Sequence, residues 1–136
     1  PSIPKGADRG GLGKVVLGTV EGDIHDIGKS LVGTILGTAG FDIIDLGVDV
    51  PAGKLVETSV SNKAKIVGMS ALMTTTMVHM PDVIAGLAAK GVRKGTIVMV
   101  GGAPTTKEWA KEIGADAQAG DAVEGLALAK DLISRR

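Results

Sequence analysis

Short runs of β-branched and aliphatic residues alternate along this chain with longer segments whose apolar positions recur at helical spacing. KVVLGTV (14–20) predicts a buried strand, and IGKSLVGTILGTAG (27–40) predicts a helix that stops at glycine. FDIIDLGV (41–48) predicts a second strand. PAGKLVETSVSNK (51–63) follows as a helix with Pro51 near its start, where a missing N–H costs least. AKIVGMS (64–70) and TIVMVGG (96–102) predict the third and fourth strands. MVHMPDVIAGLAAKG (77–91) and TTKEWAKEIG (105–114) predict the helices after them, the first with Pro81 in its opening turn. ADAQAG (115–120) is a weakly patterned fifth strand, and DAVEGLALAKDLISRR (121–136) a last helix with Asp121 as N-cap. PSIPKGADRGGLG (1–13) has no such pattern and reads as a linker or tail.

Strict alternation of strand and helix implies a parallel sheet covered on both faces. Right-handed crossovers and the chain length favour a flavodoxin-like (Rossmann-like), doubly wound α/β fold of five strands in the order 2-1-3-4-5. Ligands of such folds gather at the carboxyl ends of the strands where the order reverses, here between strands one and three. Three unusual loops converge there: GDIHD after strand one, SALMTTT (70–76) after strand three and GGAP (101–104) after strand four.

Composition narrows the chemistry. Fifteen basic and fifteen acidic residues cancel, so charge points to neither a nucleic acid nor an anionic membrane. The absence of cysteine excludes thiolate nucleophiles, disulfides and cysteine-ligated metal clusters. Apolar runs are too short for a membrane-spanning helix. No secretory signal is visible, which points to the cytoplasm, and a chain opening on proline suggests a piece of a longer protein. Aromatics are limited to Phe41 and Trp109 while glycine reaches 21, which suits close backbone packing or a large flat ligand.

His25 is one of only two histidines. A loop histidine is most often a solvated side chain. Here Asp23 lies two residues before it and, in an extended loop, points the same way. A carboxylate that orients one imidazole nitrogen and leaves the other free serves a metal ligand or a general base. An ordinary zinc site needs more His, Cys or carboxylate ligands than these loops supply. Asp23, His25 and Asp26 could hold a hard cation through oxygens, which leaves the histidine unexplained. A single nitrogen ligand suits a metal whose other positions are filled by a macrocycle. His79 and Glu21 read as surface, Trp109 as packing, and the methionines as gap-fillers.

GDIHDIGK resembles the Asp-x-His-x-x-Gly signature of cobalamin-binding domains. The rest of that signature follows in order: 41 residues (29–69) precede Ser70 and Leu72 of SAL, and 28 more (73–100) lead to Gly101 and Gly102. The resemblance covers 14–136, with 1–13 as the linker to an absent N-terminal helical cap. It implies that His25 replaces the cofactor's dimethylbenzimidazole as lower axial ligand to cobalt. Asp23 then accepts the hydrogen bond from its other nitrogen, and Thr76 completes the relay where relatives often carry serine. Asp26, Ile27 and Gly28 would lie against the cofactor. Its nucleotide tail would thread between strands one and three beside the first helix, with hydroxyls from Ser70 and Thr74, packing from Leu72 and a flat backbone at Gly101 and Gly102. Gly33 and Gly37 fit either a side-chain-free face for that tail or close helix–sheet packing, and Met73 and Met77 are candidates for corrin contact.

The wording GTVEGDIHDIGKSLVG with SALMTTTM is similar to the corrinoid proteins of methyltransferase systems, including the module of methionine synthase. That implies a methyl carrier, not catalytic alone. One methyltransferase loads it from a methylated amine, methanol or an aryl ether. A second unloads it to tetrahydrofolate or a thiol, and a reductive activase is a further partner. The alternatives are the small cobalamin subunit of a carbon-skeleton mutase, and a sensor or storage module. Receiver and flavin-binding domains fit less well, because Ser70 stands where a receiver carries its phosphorylated aspartate and GDIHD replaces a Ser/Thr-rich phosphate loop.

Overall fold

A computed structural model describes residues 11–135. Its elements in chain order are β1 (Lys14–Thr19), α1 (Ile27–Ala39), β2 (Asp42–Asp45), α2 (Ala52–Ser61), β3 (Ile66–Ser70), α3 (Thr74–Met77), α4 (Met80–Ala89), β4 (Ile97–Gly101), α5 (Lys107–Ile113), β5 (Ala117–Ala119) and α6 (Ala122–Ser134). All strand pairs are parallel, and the sheet order is β2-β1-β3-β4-β5, as the alternation predicts.

The strands alternate their side chains between two cores. Val16, Val67, Val98 and Val100 face α2, α4 and α5, where Leu55, Val56, Met80, Val83, Leu87 and Ala110 complete one apolar layer. Val15, Leu17, Ile66, Ile97 and Met99 face the other way, towards Leu36 of α1 and Ala129 of α6. Trp109 packs against the first layer, and Leu12 against the second. Most of the linker expected over 1–13 lies outside the described residues.

Two elements depart from the sequence reading. The helix expected over 77–91 begins only at Met80, with His79 at its N-cap and Pro81 in its first turn, and a separate short helix, α3, occupies the end of the loop expected over 70–76. Strand β2 is shorter than 41–48. After Asp45 the chain passes Gly47 (φ +90) and Asp49 (φ +52), and Val50 rejoins the sheet only through a bridge to Val20. Asp121 caps α6 as expected, accepting the Glu124 N–H at 2.8 Å.

In-step pairing of Thr19 with Ser70, and of Ser70 with Gly101, makes β1, β3 and β4 end at one level. The three loops therefore leave the sheet side by side. Gly102 adopts φ +118, and a Cβ there would lie 1.7 Å from the Ala71 carbonyl oxygen, so no other residue fits between the β3 and β4 loops. Gly114, the left-handed end of α5, has a similar φ of +87 but open space around it. Gly102→Ala is expected to cost about 2–4 kcal/mol, through strain plus displacement of backbone, and Gly114→Ala only about 1 kcal/mol. Urea denaturation of both variants measures this, and equal costs would show that the close approach to Ala71 is not what demands glycine.

Candidate functional site

The histidine loop begins with a tight turn. The Asp23 N–H donates to the Val20 carbonyl at 3.0 Å, and Gly22 sits at φ +84, the left-handed backbone that such a turn needs in its third position. This turn sends the Asp23 side chain inward, where it is wholly buried. Its Oδ2 accepts the Leu72 N–H at 2.7 Å and the Thr76 hydroxyl at 2.7 Å. Its Oδ1 accepts the His25 N–H at 3.0 Å and lies 2.6 Å from His25 Nδ1. Burial alone would raise the Asp23 pKa. The Leu72 N–H, the Thr76 hydroxyl and the two His25 contacts outweigh it and hold the carboxyl well below the usual carboxylate range.

With Asp23 ionised, Nδ1 carries the proton and donates it to Oδ1. Nε2 keeps its lone pair and has no protein partner among the described residues. The Thr19 hydroxyl fixes the other end of the residue by donating to the His25 carbonyl at 2.8 Å. The residue is thus tethered at three points, its N–H, its carbonyl and Nδ1 of its ring, while its side chain stays 47 % exposed.

His25 stands at the mouth of a cleft of about 820 Å³ running along the sheet between α1 and the start of α6. Asp26, Ile27, Gly28, Ser70, Leu72, Gly101 and Gly102 all line it, so the structure gathers these sequence-predicted residues around His25. Asp23 and Thr76 stand behind the histidine. Thr74 opens α3 on the surface and does not line the cleft. Met77 packs into the α4-side core, and His79 caps α4 away from the cleft. The glycines of α1 divide: a Cβ on Gly28 would meet nothing within 4 Å, whereas Gly33 and Gly37 stand over Leu17 and Ile43 and serve helix–sheet packing.

The far wall was not legible in the sequence. Ala119, Gly120, Ala122 and Gly125, around the start of α6, leave a channel without large side chains, and Gly68 in β3, where a Cβ would strike the Leu17 side chain, also lines it. The small residues of AGDAVEG were its one signal. Lys29 was also missed. It lies in the first turn of α1 with its side chain buried, and its Nζ contacts Asp45 at 2.5 Å and Asp26 at 2.7 Å. Burial works against its charge, but the two carboxylates raise its pKa above the ordinary lysine value, and Lys29 in turn lowers that of Asp26.

Among the described residues no three His, Cys, Asp or Glu side chains converge to hold a metal ion, and no helix is long and apolar enough to cross a membrane. The donor set is one oriented imidazole. It fits a metal that brings its own equatorial ligands, with Ile24 and Ile27, 74 % and 87 % exposed, offering an apolar rim beside it.

Asp23 also predicts a pH dependence. Its folded-state pKa is depressed, so it stabilises the fold above the ordinary carboxylate pKa of about 3.9 and loses that contribution as the pH falls towards the folded-state value. Asp23→Asn, which opposes an amide N–H₂ to buried donors, is expected to lower stability at pH 7 by about 1–3 kcal/mol. It should also remove this group's share of the loss below about pH 5. Denaturant titrations across pH measure both effects.

The B12 binding domain family matches residues 13–128. Over 131 residues the chain is 51 % identical to dimethylamine corrinoid protein 2 of Methanosarcina acetivorans, covering 96 % of this chain and 61 % of that protein. The solved monomethylamine corrinoid protein of Methanosarcina barkeri superposes with a TM-score of 0.81 at 40 % identity, over 96 % of this chain and 61 % of that one. The methanol:cobalamin methyltransferase complex of the same organism gives 0.86 at 30 % identity, over 92 % of this chain and 48 % of the matched chain. This chain therefore spans about three fifths of the length of the corrinoid protein from M. acetivorans. An oriented single imidazole, a cleft at the carboxyl edge of the sheet and these matches agree: the chain belongs to the B12-binding domain family, and its cofactor is a cobalamin-type corrinoid.

Proposed function

We propose that His25 is the lower axial ligand of the corrinoid, bound with its own base displaced, and that the chain is the methyl-carrying part of a methyltransferase system. The observation that carries this is the Asp23–His25 pair at the mouth of the cleft: Nδ1 is committed to a buried carboxylate, and Nε2 has no partner among the described residues. When bound, the corrinoid supplies a cobalt centre that accepts and gives up a methyl group.

The protein's share of the chemistry lies in holding and tuning. Asp23 keeps the proton on Nδ1 and so leaves the Nε2 lone pair oriented for a metal. Thr76 and the Leu72 N–H keep Asp23 ionised against its burial, so they act on the ligand only through Asp23. Gly28, Ala122 and Gly125 leave the cleft wide enough for a displaced nucleotide tail, and Ser70 and the Gly101–Gly102 backbone offer polar contacts along it. A volume of about 820 Å³ suits a ligand group of that size.

A methylated amine is the donor class we propose, supported by the likeness to the dimethylamine and monomethylamine corrinoid proteins. A substrate methyltransferase would load the carrier, and an acceptor methyltransferase would unload it. Support for the first comes from a complex in which a relative is assembled with a methanol:cobalamin methyltransferase.

The visible absorption spectrum tests the ligand. His25→Ala is expected to retain corrinoid while losing the histidine-bound spectrum, and an unchanged spectrum overturns the assignment. Equilibrium dialysis tests the cleft. Gly28→Leu places a side chain into open space on a helix, so stability should hold or rise by up to about 1 kcal/mol. Corrinoid affinity should meanwhile fall about tenfold or more, the equivalent of roughly 1.4 kcal/mol. Undiminished affinity would mean that the tail lies elsewhere.

A further inference from the structure

Asp49 and Lys63 are the non-glycine residues with a left-handed backbone among the described residues, and only Asp49 touches the histidine loop. Its φ of +52 is a conformation that aspartate tolerates better than most residues but that still costs free energy. In that conformation its side chain and its backbone reach the same turn. Oδ1 accepts the Gly22 N–H at 2.7 Å, from a residue 27 positions earlier, and the Asp49 N–H donates to the Asp23 carbonyl at 2.9 Å. One residue thereby grips both neighbours of the Gly22–Asp23 link, the point where the chain turns to send the Asp23 carboxylate inward. Asp23 Oδ1 in turn holds the His25 N–H and ring.

The surroundings show that this contact has a specific object. The β2–α2 connection already follows β1 through Leu46 N–H to Leu17, Thr19 N–H to Gly47 and Val50 N–H to Thr19, so its course does not depend on the Asp49 carboxylate. That carboxylate is exposed and adds nothing to either core. Its one hydrogen bond among the described residues fixes the central peptide of the turn.

We infer that Asp49 is a positioning residue for His25, holding the turn that sets where the imidazole Nε2 stands and so how fully it engages the corrinoid metal. The inference rests on the axial-ligand reading only where the corrinoid is concerned, because the tether itself exists in the protein alone.

Two substitutions separate the roles. Asp49→Gly keeps the left-handed backbone and removes the acceptor, whereas Asp49→Asn keeps both. In the corrinoid-free protein, amide hydrogen exchange is expected to speed up about five- to tenfold at Gly22 and His25 in Asp49→Gly, the loss of roughly one hydrogen bond. Exchange at Val16 and Val67 in the core should stay unchanged, and Asp49→Asn should restore wild-type rates. In the loaded protein at pH 7, Asp49→Gly should lower the histidine-bound fraction severalfold, and Asp49→Asn should restore it. The inference is overturned if Asp49→Gly exchanges at wild-type rates, if the core speeds up equally, if Asp49→Asn behaves like Asp49→Gly, or if the bound fraction stays at the wild-type value. Wild-type and His25→Ala spectra that coincide would remove the axial-ligand reading instead. The exchange rates of Gly22 and His25 would then decide the role of Asp49 alone.

Discussion

A carboxylate sealed from water must be met by donors or give up its charge, and Asp23 is met by four: the Leu72 N–H, the Thr76 hydroxyl, and the N–H and ring of His25. These donors come from the loop after β1 and the loop and short helix after β3. The charge of Asp23 thus fastens two connections of the sheet to each other while it fixes the imidazole. Loss of any one donor would leave part of a buried charge exposed to nothing, which makes the arrangement cooperative. The same contacts that stabilise the loop therefore set the chemistry of the histidine.

The rest of the fold keeps that arrangement at the edge of a cleft. Parallel strands with both faces buried bring β1, β3 and β4 to a common end. Gly102 closes the gap to the Ala71 carbonyl so tightly that the β3 and β4 loops must travel together. Small residues at the start of α6 and Gly28 on α1 then keep the space beside His25 clear of side chains. Lys29, pinned between Asp26 and Asp45, ties the first turn of α1 to the end of β2 beneath that space.

Much of this was legible in the sequence because it is local. The alternation of β-branched runs with amphipathic segments predicts the sheet and its strand order, and the two-residue spacing of Asp23 and His25 predicts their hydrogen bond. Thr76 was within reach because its place in SALMTTT matches a family pattern. Other features depend on contacts between distant segments. Nothing in IGKSLVGTILG tells Gly28, which faces the cleft, from Gly33 and Gly37, which pack on β1 and β2. The wall formed by Gly120, Ala122 and Gly125 appears only once α6 is laid beside α1. Asp49 looks like one more acidic loop residue until its left-handed backbone and its bond to Gly22 are seen together. The third helix shows the reverse case: Pro81 was visible, but the extra turn α3 ahead of it, over Thr74–Met77, carries no apolar pattern of its own.

One nitrogen of His25 is proposed to meet the metal. Electron paramagnetic resonance of the protein loaded with the cobalt(II) corrinoid tests it most directly, with the histidines enriched in the heavy nitrogen isotope. The axial nitrogen splits each cobalt line into a triplet when it is the common isotope and a doublet when it is the heavy one. His79 caps α4 away from the cleft, so a labelled signal reports His25. Doublets are expected in the labelled protein; triplets that survive the labelling would show that the corrinoid keeps its own base and that His25 is not its ligand.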